Sequence, residues 1–295
     1  MNKKLLIAYT SSVLSMLIWS LSFIWAKIVF QYYHPITTVT LRLLISSIFL
    51  IIVMLIIKKI QKIKKEDIKW FLLLAFFEPL LYYTFEGYGL KRVSSTIGAL
   101  VVSTIPVFTP FVAFMLFRER LSLTNKIGLI LSFVGIVIMI VDKNLSFSAS
   151  PVGVMLLFCA VASSVSYTMV LKNLSHKYSI LNIVLWQNIF GFLFFLPLFF
   201  INDYSHFITV IPDFRLISNL IKLAVFASSV AFIFYAISVR DLGVSKTNLL
   251  INTIPVFTAF FSYFILSEVF TLNKILGIII VLAGIFISEL ISGKK

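Results

Sequence analysis

The chain has 295 residues, 60% of them hydrophobic and 12% charged, with a mean hydropathy of +1.07. Soluble domains are about 45–50% apolar and about 25% charged, so a water-soluble globule is excluded and the bilayer is the expected solvent. The formal net charge of +14 does not point to nucleic acid, because Lys and Arg fall in short clusters between apolar runs and build no basic domain or aromatic-rich basic patch.

A helix that crosses the hydrocarbon core needs about 20 mostly apolar residues. The first such run, 5–26, follows Lys3 and Lys4. It is too long for the apolar stretch of a cleavable signal peptide, and no small-x-small site follows it. Further runs lie at 36–57, 70–89, 95–117, 127–141, 152–171, 181–201, 220–239, 246–266 and 275–291. The chain therefore reads as an all-α membrane protein with ten transmembrane helices. With the N-terminus in the cytoplasm, 17 Lys and Arg residues fall inside and 7 outside, while Arg42 lies within the second span. The positive-inside rule then places both termini in the cytoplasm of a multi-pass protein of the cell membrane. The segment "KKIQKIKKEDIK" at 58–69 gives the strongest vote.

Cys159 is the only cysteine, so no internal disulfide can form. His34, His176 and His206 fall on separate loops without metal-ligand spacing. No P-loop is present, so ATP does not drive a process here. No enzymatic motif and no cofactor are read from the chain.

The hexapeptide "TIPVFT" occurs at 104–109 and again at 253–258, 149 residues apart. In that frame Pro106 meets Pro255, Glu119 meets Glu268, Gly128 meets Gly277 and Gly135 meets Gly284. An offset of 145 fits earlier parts and sets Lys27 on Lys172 and Arg42 on Gln187. The halves, 1–145 and 146–295, read as two copies of a five-helix unit. An odd number of spans per copy forces the copies into opposite senses, giving two inverted five-helix repeats, an architecture of secondary transporters. The glycines at spacing seven in spans five and ten mark them as packing helices.

Pro106 and Pro255 fall near the middle of spans four and nine. A proline there removes a backbone hydrogen bond and clashes with the preceding turn, at about 3 kcal/mol in an ordinary helix. Matching breaks in two halves point to a transport site. The carbonyls of Val102 and Ile251 are the ones expected to be freed, to face a cavity or to be met by hydroxyls. A harmless kink is the alternative for a single proline.

The doubled stretches "STIPVFTPFVAFMLFRERLSLTNKIGLILSFVGIVI" and "NTIPVFTAFFSYFILSEVFTLNKILGIIIVLAGIFI" resemble the EamA-type family of the drug/metabolite transporter superfamily. The likeness rests on a proline in the fourth helix, a glutamate after it and a glycine-spaced fifth helix, and "GLKRVSSTIGAL" at 89–100 is similar to the family's helix three–four junction. It implies a ten-helix carrier with a central cavity between helices one to four and six to nine, helices five and ten being peripheral. It also implies movement of amino acids, other metabolites or drugs, often outward. One departure is Val269, which stands where the first copy has Arg120.

Ionisable groups inside a span are costly and functional by default, and three stand out: Arg42, Glu78 and Glu86. Glu78 sits near the middle of span three. Glu86 is eight residues on and about 80° around an ideal helix. Arg42 is about six residues into span two, about 9 Å deep, so a pair between Arg42 and one of the glutamates is expected. Such a pair could be structural, or the site could be functional. In the functional case Glu78 is the candidate for substrate amine or proton, since burial draws a carboxyl towards its neutral form. The remaining candidate lining is Ser12, Ser15, Trp19 and Ser22 in span one, Tyr82 and Tyr83 in span three, Cys159, Ser163, Ser164 and Tyr167 in span six, Trp186 and Gln187 in span seven, Tyr235 in span eight, and Asn248 and Asn252 before Pro255.

These observations together read as a secondary transporter that moves a small metabolite, an amino acid or related compound, by alternating access and in the export direction. Its partners are that substrate and the bilayer, and movement is either linked to protons or facilitated without them. Translocation of a lipid or lipid-linked carrier is the alternative within transport, and a non-transporting membrane sensor is the alternative from another class.

Overall fold

The computed structural model describes residues 3–108, 123–141, 149–242, 247 and 250–292. Its helices follow the apolar runs. We label them α1 (Lys3–Val29), α2 (Pro35–Ile56), α3 (Lys65–Arg92), α4 (Ser95–Phe108), α5 (Leu123–Ile140), α6 (Pro151–Ser175), α7 (Ile180–Asn202), α8 (from Phe214 to Leu242), α9 (Ile254–Leu266) and α10 (Leu272–Ser292). Among the described residues, seven are long and apolar enough to cross a membrane by themselves. Shorter apolar stretches lie at Ser95–Phe108 in α4, Ile254–Leu266 in α9 and Leu272–Ser288 in α10. Exposed apolar side chains such as Ile52, Leu55, Ile130, Phe264 and Ile279 cover the outside, as expected of a protein solvated by lipid.

Local chemistry sets the helix starts. Pro35 and Pro151 occupy first-turn positions, where the missing N–H costs nothing. Ser94, Ser150 and Asp213 cap α4, α6 and α8 by accepting from the backbone N–H of Ile97, Gly153 and Leu216. Chain reversal after α2 uses a left-handed Lys58, with φ of 51°, and the N–H of Lys59 donates to Met54 O. That is the Schellman pattern of a helix end.

The repeated hexapeptides are explained by the local backbone. Ser103 and Thr104 form a turn after α4 starts, Asn252 and Thr253 form another, and helix resumes at Ile105 and Ile254. Pro106 and Pro255 thus sit in the first turn of a restarted helix, where proline is tolerated. The carbonyls that gain a side-chain partner are one residue earlier than the sequence predicts. Thr104 Oγ1 donates to Val101 O and Thr253 Oγ1 donates to Leu250 O, each at 2.6 Å. The reason is that the break comes before the proline rather than at it.

Packing repeats itself between the halves. Helix α1 packs on α8 and α9, and α6 packs on α3 and α4. Each of α2, α4 and α5 packs on its counterpart α7, α9 or α10. The α5–α10 pair is antiparallel: Asn125 Nδ2 donates to Ser288 O at 3.2 Å, and at the other end Asn273 Nδ2 donates to Val141 O at 3.2 Å. Between these ends Gly128 faces Gly284 and Gly135 faces Gly277, so close that a Cβ on Gly128 would lie 2.5 Å from Gly284 O. In lipid, small residues of this kind are what allows such an approach.

Both α3 and α8 contain a π-helical stretch, at Phe76–Leu81 and Lys222–Val230. The two stretches start 146 residues apart, as do Asp67 and Asp213. Each aspartate ties the start of its helix to a loop of the other half. Asp67 accepts from Lys177 Nζ at 2.7 Å and from Tyr178 Oη at 3.0 Å. Asp213, at the opposite end of the bundle, accepts from Tyr32 Oη at 2.7 Å. That hydrogen bond holds the Asp213 carboxyl below the usual carboxylate range.

On the Asp213 face α2 and α7 are also joined. Buried Asp203 accepts from Thr37 N at 3.0 Å and Thr37 Oγ1 at 2.8 Å, and His34 stacks on His206 beside it. Asp203 is therefore the N-terminal cap of α2, supplied by another helix. Asp203→Ala is expected to lower stability by about 1–2 kcal/mol, read as a fall in the thermal midpoint of purified protein. An unchanged midpoint would show that the cap is idle.

Candidate functional site

The sequence places three ionisable groups inside the spans, and the structure brings them to one interior region bounded by α1, α2, α3, α6, α7 and α8. Arg42, buried on α2, donates through Nε to Ser228 Oγ on α8. Its Nη2 donates to Tyr83 Oη on α3 at 3.2 Å, and the guanidinium carbon lies 4.4 Å from the centre of the Tyr83 ring. The predicted ion pair is not formed: the ion pairs among the described residues do not include Arg42, Glu78 or Glu86. Ser228 and Tyr83 draw the guanidinium across to α8 and α3 instead.

Arg42, Tyr83 and Glu86 line one narrow cleft with Ser22, whose free space of about 20 Å³ holds about one water molecule. The remaining wall is largely apolar, with Phe23, Phe30, Val39, Leu90 and Leu223. Glu86 accepts from Tyr82 Oη at 3.1 Å. A buried cation is expensive without a counter-charge, so the groups that would complement this cleft are an anion at Arg42 and a cation at Glu86.

Glu78 is buried on the π-helical turn of α3, with extended backbone at φ −143° and ψ 114°. The helix is broken at Glu78, so the angle that an unbroken helix predicts between Glu78 and Glu86 does not apply. Glu78 is hydrogen-bonded by Ser164 of α6 and interacts electrostatically with Arg42 and Glu86. Its field also reaches Tyr83, Tyr167 and Tyr235.

Other predicted lining residues fall into contacting pairs. Tyr167 Oη donates to Gln187 Oε1 at 3.1 Å, both buried. Trp19 donates through Nε1 to Ala227 O at 3.3 Å, and its ring lies 5.2 Å from that of Tyr235. Ser22 Oγ donates back to Trp19 O at 2.7 Å while lining the Arg42 cleft. Pro255 is buried beside α1, where Ser20 Oγ donates to Ile254 O at 3.1 Å. Pro106 is half-buried, next to Val107 and Phe108 of the main apolar core. Neither proline is among the residues that line the cleft. Asn252 sits in the turn before α9, and Asn248, like Glu119 and Arg120, lies outside the described residues.

Sequence spacing does not single out Ser46, Asn188, Ser228 or Ser229. They form a buried network in which Asn188 Nδ2 donates to Ser46 Oγ at 2.7 Å, and Ser46 and Ser229 share a hydrogen bond of 2.8 Å. The available signal was an amide beside Gln187 and the adjacent serines in "ASSV" at 227–230, each inside an apolar run. Glu268 also finds a place. It reaches the start of α4, with Oε2 3.5 Å from Thr96 N, and pairs with Lys274 at 3.7 Å.

Apolar helices around a polar, partly open interior define a multi-pass helical membrane protein with an internal cleft. The chain belongs to the EamA-like transporter family, which it matches twice, over residues 6–141 and 151–290. It is 27% identical over 292 residues to the uncharacterized transporter YetK of Bacillus subtilis, covering 97% of this chain and 88% of that protein. It is 24% identical over 275 residues to an uncharacterized transporter of Archaeoglobus fulgidus, covering 93% of this chain and 95% of that one. A solved crystal structure superposes with a TM-score of 0.69 at 14% identity, over 96% of this chain and 98% of the other, and so shares its fold.

Proposed function

We propose that this membrane transporter is a secondary carrier that moves a small metabolite, an amino acid or related compound, outward across the cell membrane by alternating access. On this reading all ten apolar helices cross, in two inverted five-helix repeats, 1–145 and 146–295, with both termini cytoplasmic. The antiparallel pairing of α5 with α10 supports the inversion, because equivalent helices then run in opposite senses. The observation that carries the substrate reading is buried Arg42. It lines a cleft opposite Glu86 with no carboxylate in ion-pair range among the described residues. A zwitterion supplies both missing charges, and the apolar wall suits a side chain.

Glu78 is the proton-coupling group in this scheme, since it is buried and electrostatically tied to both ends of the cleft. The test uses purified protein in liposomes and a panel of labelled amino acids and related metabolites, with and without an imposed pH gradient. Wild type is expected to equilibrate at least one of them, faster when the gradient is present. Glu78→Gln is expected to retain exchange and to lose the acceleration. No movement of any labelled solute would sink the reading, and acceleration that persists in Glu78→Gln would remove the proton role.

A further inference from the structure

The loop 57–67 that joins α2 to α3 is built as a display surface. Its backbone is fixed from α7 and the α6–α7 loop. Asn182 Oδ1 accepts from Gln61 N at 2.7 Å, and Asn182 Nδ2 donates to Lys59 O at 2.9 Å. Trp186 Nε1 donates to Gln61 O at 3.0 Å, and Ser179 N donates to Gln61 Oε1 at 2.9 Å. Lys64 N donates to Tyr178 Oη at 3.0 Å. The chain is thus held by its backbone and by Gln61, while Lys58, Lys59, Lys62, Lys64 and Lys65 stay exposed.

None of these lysines is in an ion pair within 4 Å among the described residues. Of the two acids in the loop, Asp67 is committed to Lys177 and Glu66 makes no ion pair within 4 Å among the described residues, so the five lysines outnumber the one uncommitted carboxylate. Exposed Ile57 stands just before the lysines and exposed Ile60 between them. A row of unpaired ammonium groups mixed with exposed isoleucines, at the end of a membrane-crossing helix, fits one partner chemistry. The isoleucines meet acyl chains and the lysines meet phosphates at the same depth.

We propose that the 57–67 loop is a binding surface for anionic phospholipid headgroups of the leaflet it faces. It holds them by five lysines on a backbone clamped by Asn182 and Trp186. Folded soluble anions lack the acyl chain that the isoleucines meet, so the lipid rather than free phosphate is the occupant.

The test uses the full chain reconstituted in phosphatidylcholine vesicles that carry spin-labelled phosphatidylglycerol or spin-labelled phosphatidylcholine. The readout is the fraction of label immobilised on the protein, which does not depend on transport. Wild type is expected to prefer phosphatidylglycerol by about fivefold or more, the worth of one lysine at an anionic surface. The variant with Lys58, Lys59, Lys62, Lys64 and Lys65 all changed to Gln is expected to lose that preference. Its folding is checked by an unchanged thermal midpoint. Lys91→Gln, an exposed lysine on the opposite face, is expected to keep the preference. Equal association of the two lipids with wild type, retention in the five-lysine variant, loss in Lys91→Gln, or displacement by equimolar inorganic phosphate each overturns the proposal.

Discussion

Arg42→Met is expected to lower transport about a hundredfold and to leave the fold intact. Hydrogen bonds to a charged group are worth about 1.5–3 kcal/mol each, and a substrate carboxylate on the guanidinium would make one or two of them. The fold does not depend on the charge in the same way. Arg42 bonds Ser228 and Tyr83 but no carboxylate, so Met breaks no ion pair, and Glu78 and Glu86 lose only a longer-range attraction. Replacing a buried charge by an apolar side chain of similar length is often neutral or stabilising. A thermal midpoint at or above that of wild type, together with lost uptake, therefore separates a binding role from a structural one. Neutralising Glu86 as well should not rescue transport, because the two residues do not pair. Rescue in the double variant would restore the ion-pair reading, and full activity of Arg42→Met would end the substrate assignment.

Gly128→Val is expected to cost about 3 kcal/mol or more and to deplete folded protein. Overpacking a tight contact costs about 1–3 kcal/mol when neighbours can adjust, and occasionally more. Here the first added atom already lies 2.5 Å from Gly284 O and 2.6 Å from Ser288 Cβ. The carbonyl is part of the α10 backbone and cannot swing aside, so the helices must separate. Separation also breaks the two asparagine bonds that pin the pair at its ends. Ile130→Ala, a change on the exposed side of the same helix, should stay within about 0.5 kcal/mol. Equal thermal midpoints for the two variants would refute a steric α5–α10 seam.

Much of the helical layout was legible because lipid demands it. With no water in the hydrocarbon core, a spanning chain must satisfy its backbone within helices, so apolar length alone marks each span. The repeat was legible for a simpler reason: Pro106 and Pro255, and the glycine pairs after them, are chemically rare and recur in one frame. The interior was less legible. Glu78, Glu86 and Arg42 were found as charges out of place, and Tyr82, the partner of Glu86, was found with them; Ser228, the partner of Arg42, was not, since it looks like any small polar residue in a span. The π-helical turn in α8 carries no mark in the residue pattern, whereas that in α3 contains Pro79, and the break at Glu78 voids the angle reckoned between Glu78 and Glu86. The two prolines were read as cavity markers, whereas the described cleft is lined by Arg42, Tyr83 and Glu86 without them.

Composition and periodicity by themselves determined that this chain lives in a bilayer, that it is helical, and that it is built twice, because these follow from solvent and from local backbone needs. Only the tertiary structure decided where the guanidinium of Arg42 goes, which aspartate of one half meets which loop of the other, and how Gly128 reaches Gly284. Those outcomes depend on side-chain atoms brought together from positions more than a hundred residues apart, and distances of a few ångströms between such atoms are set by packing.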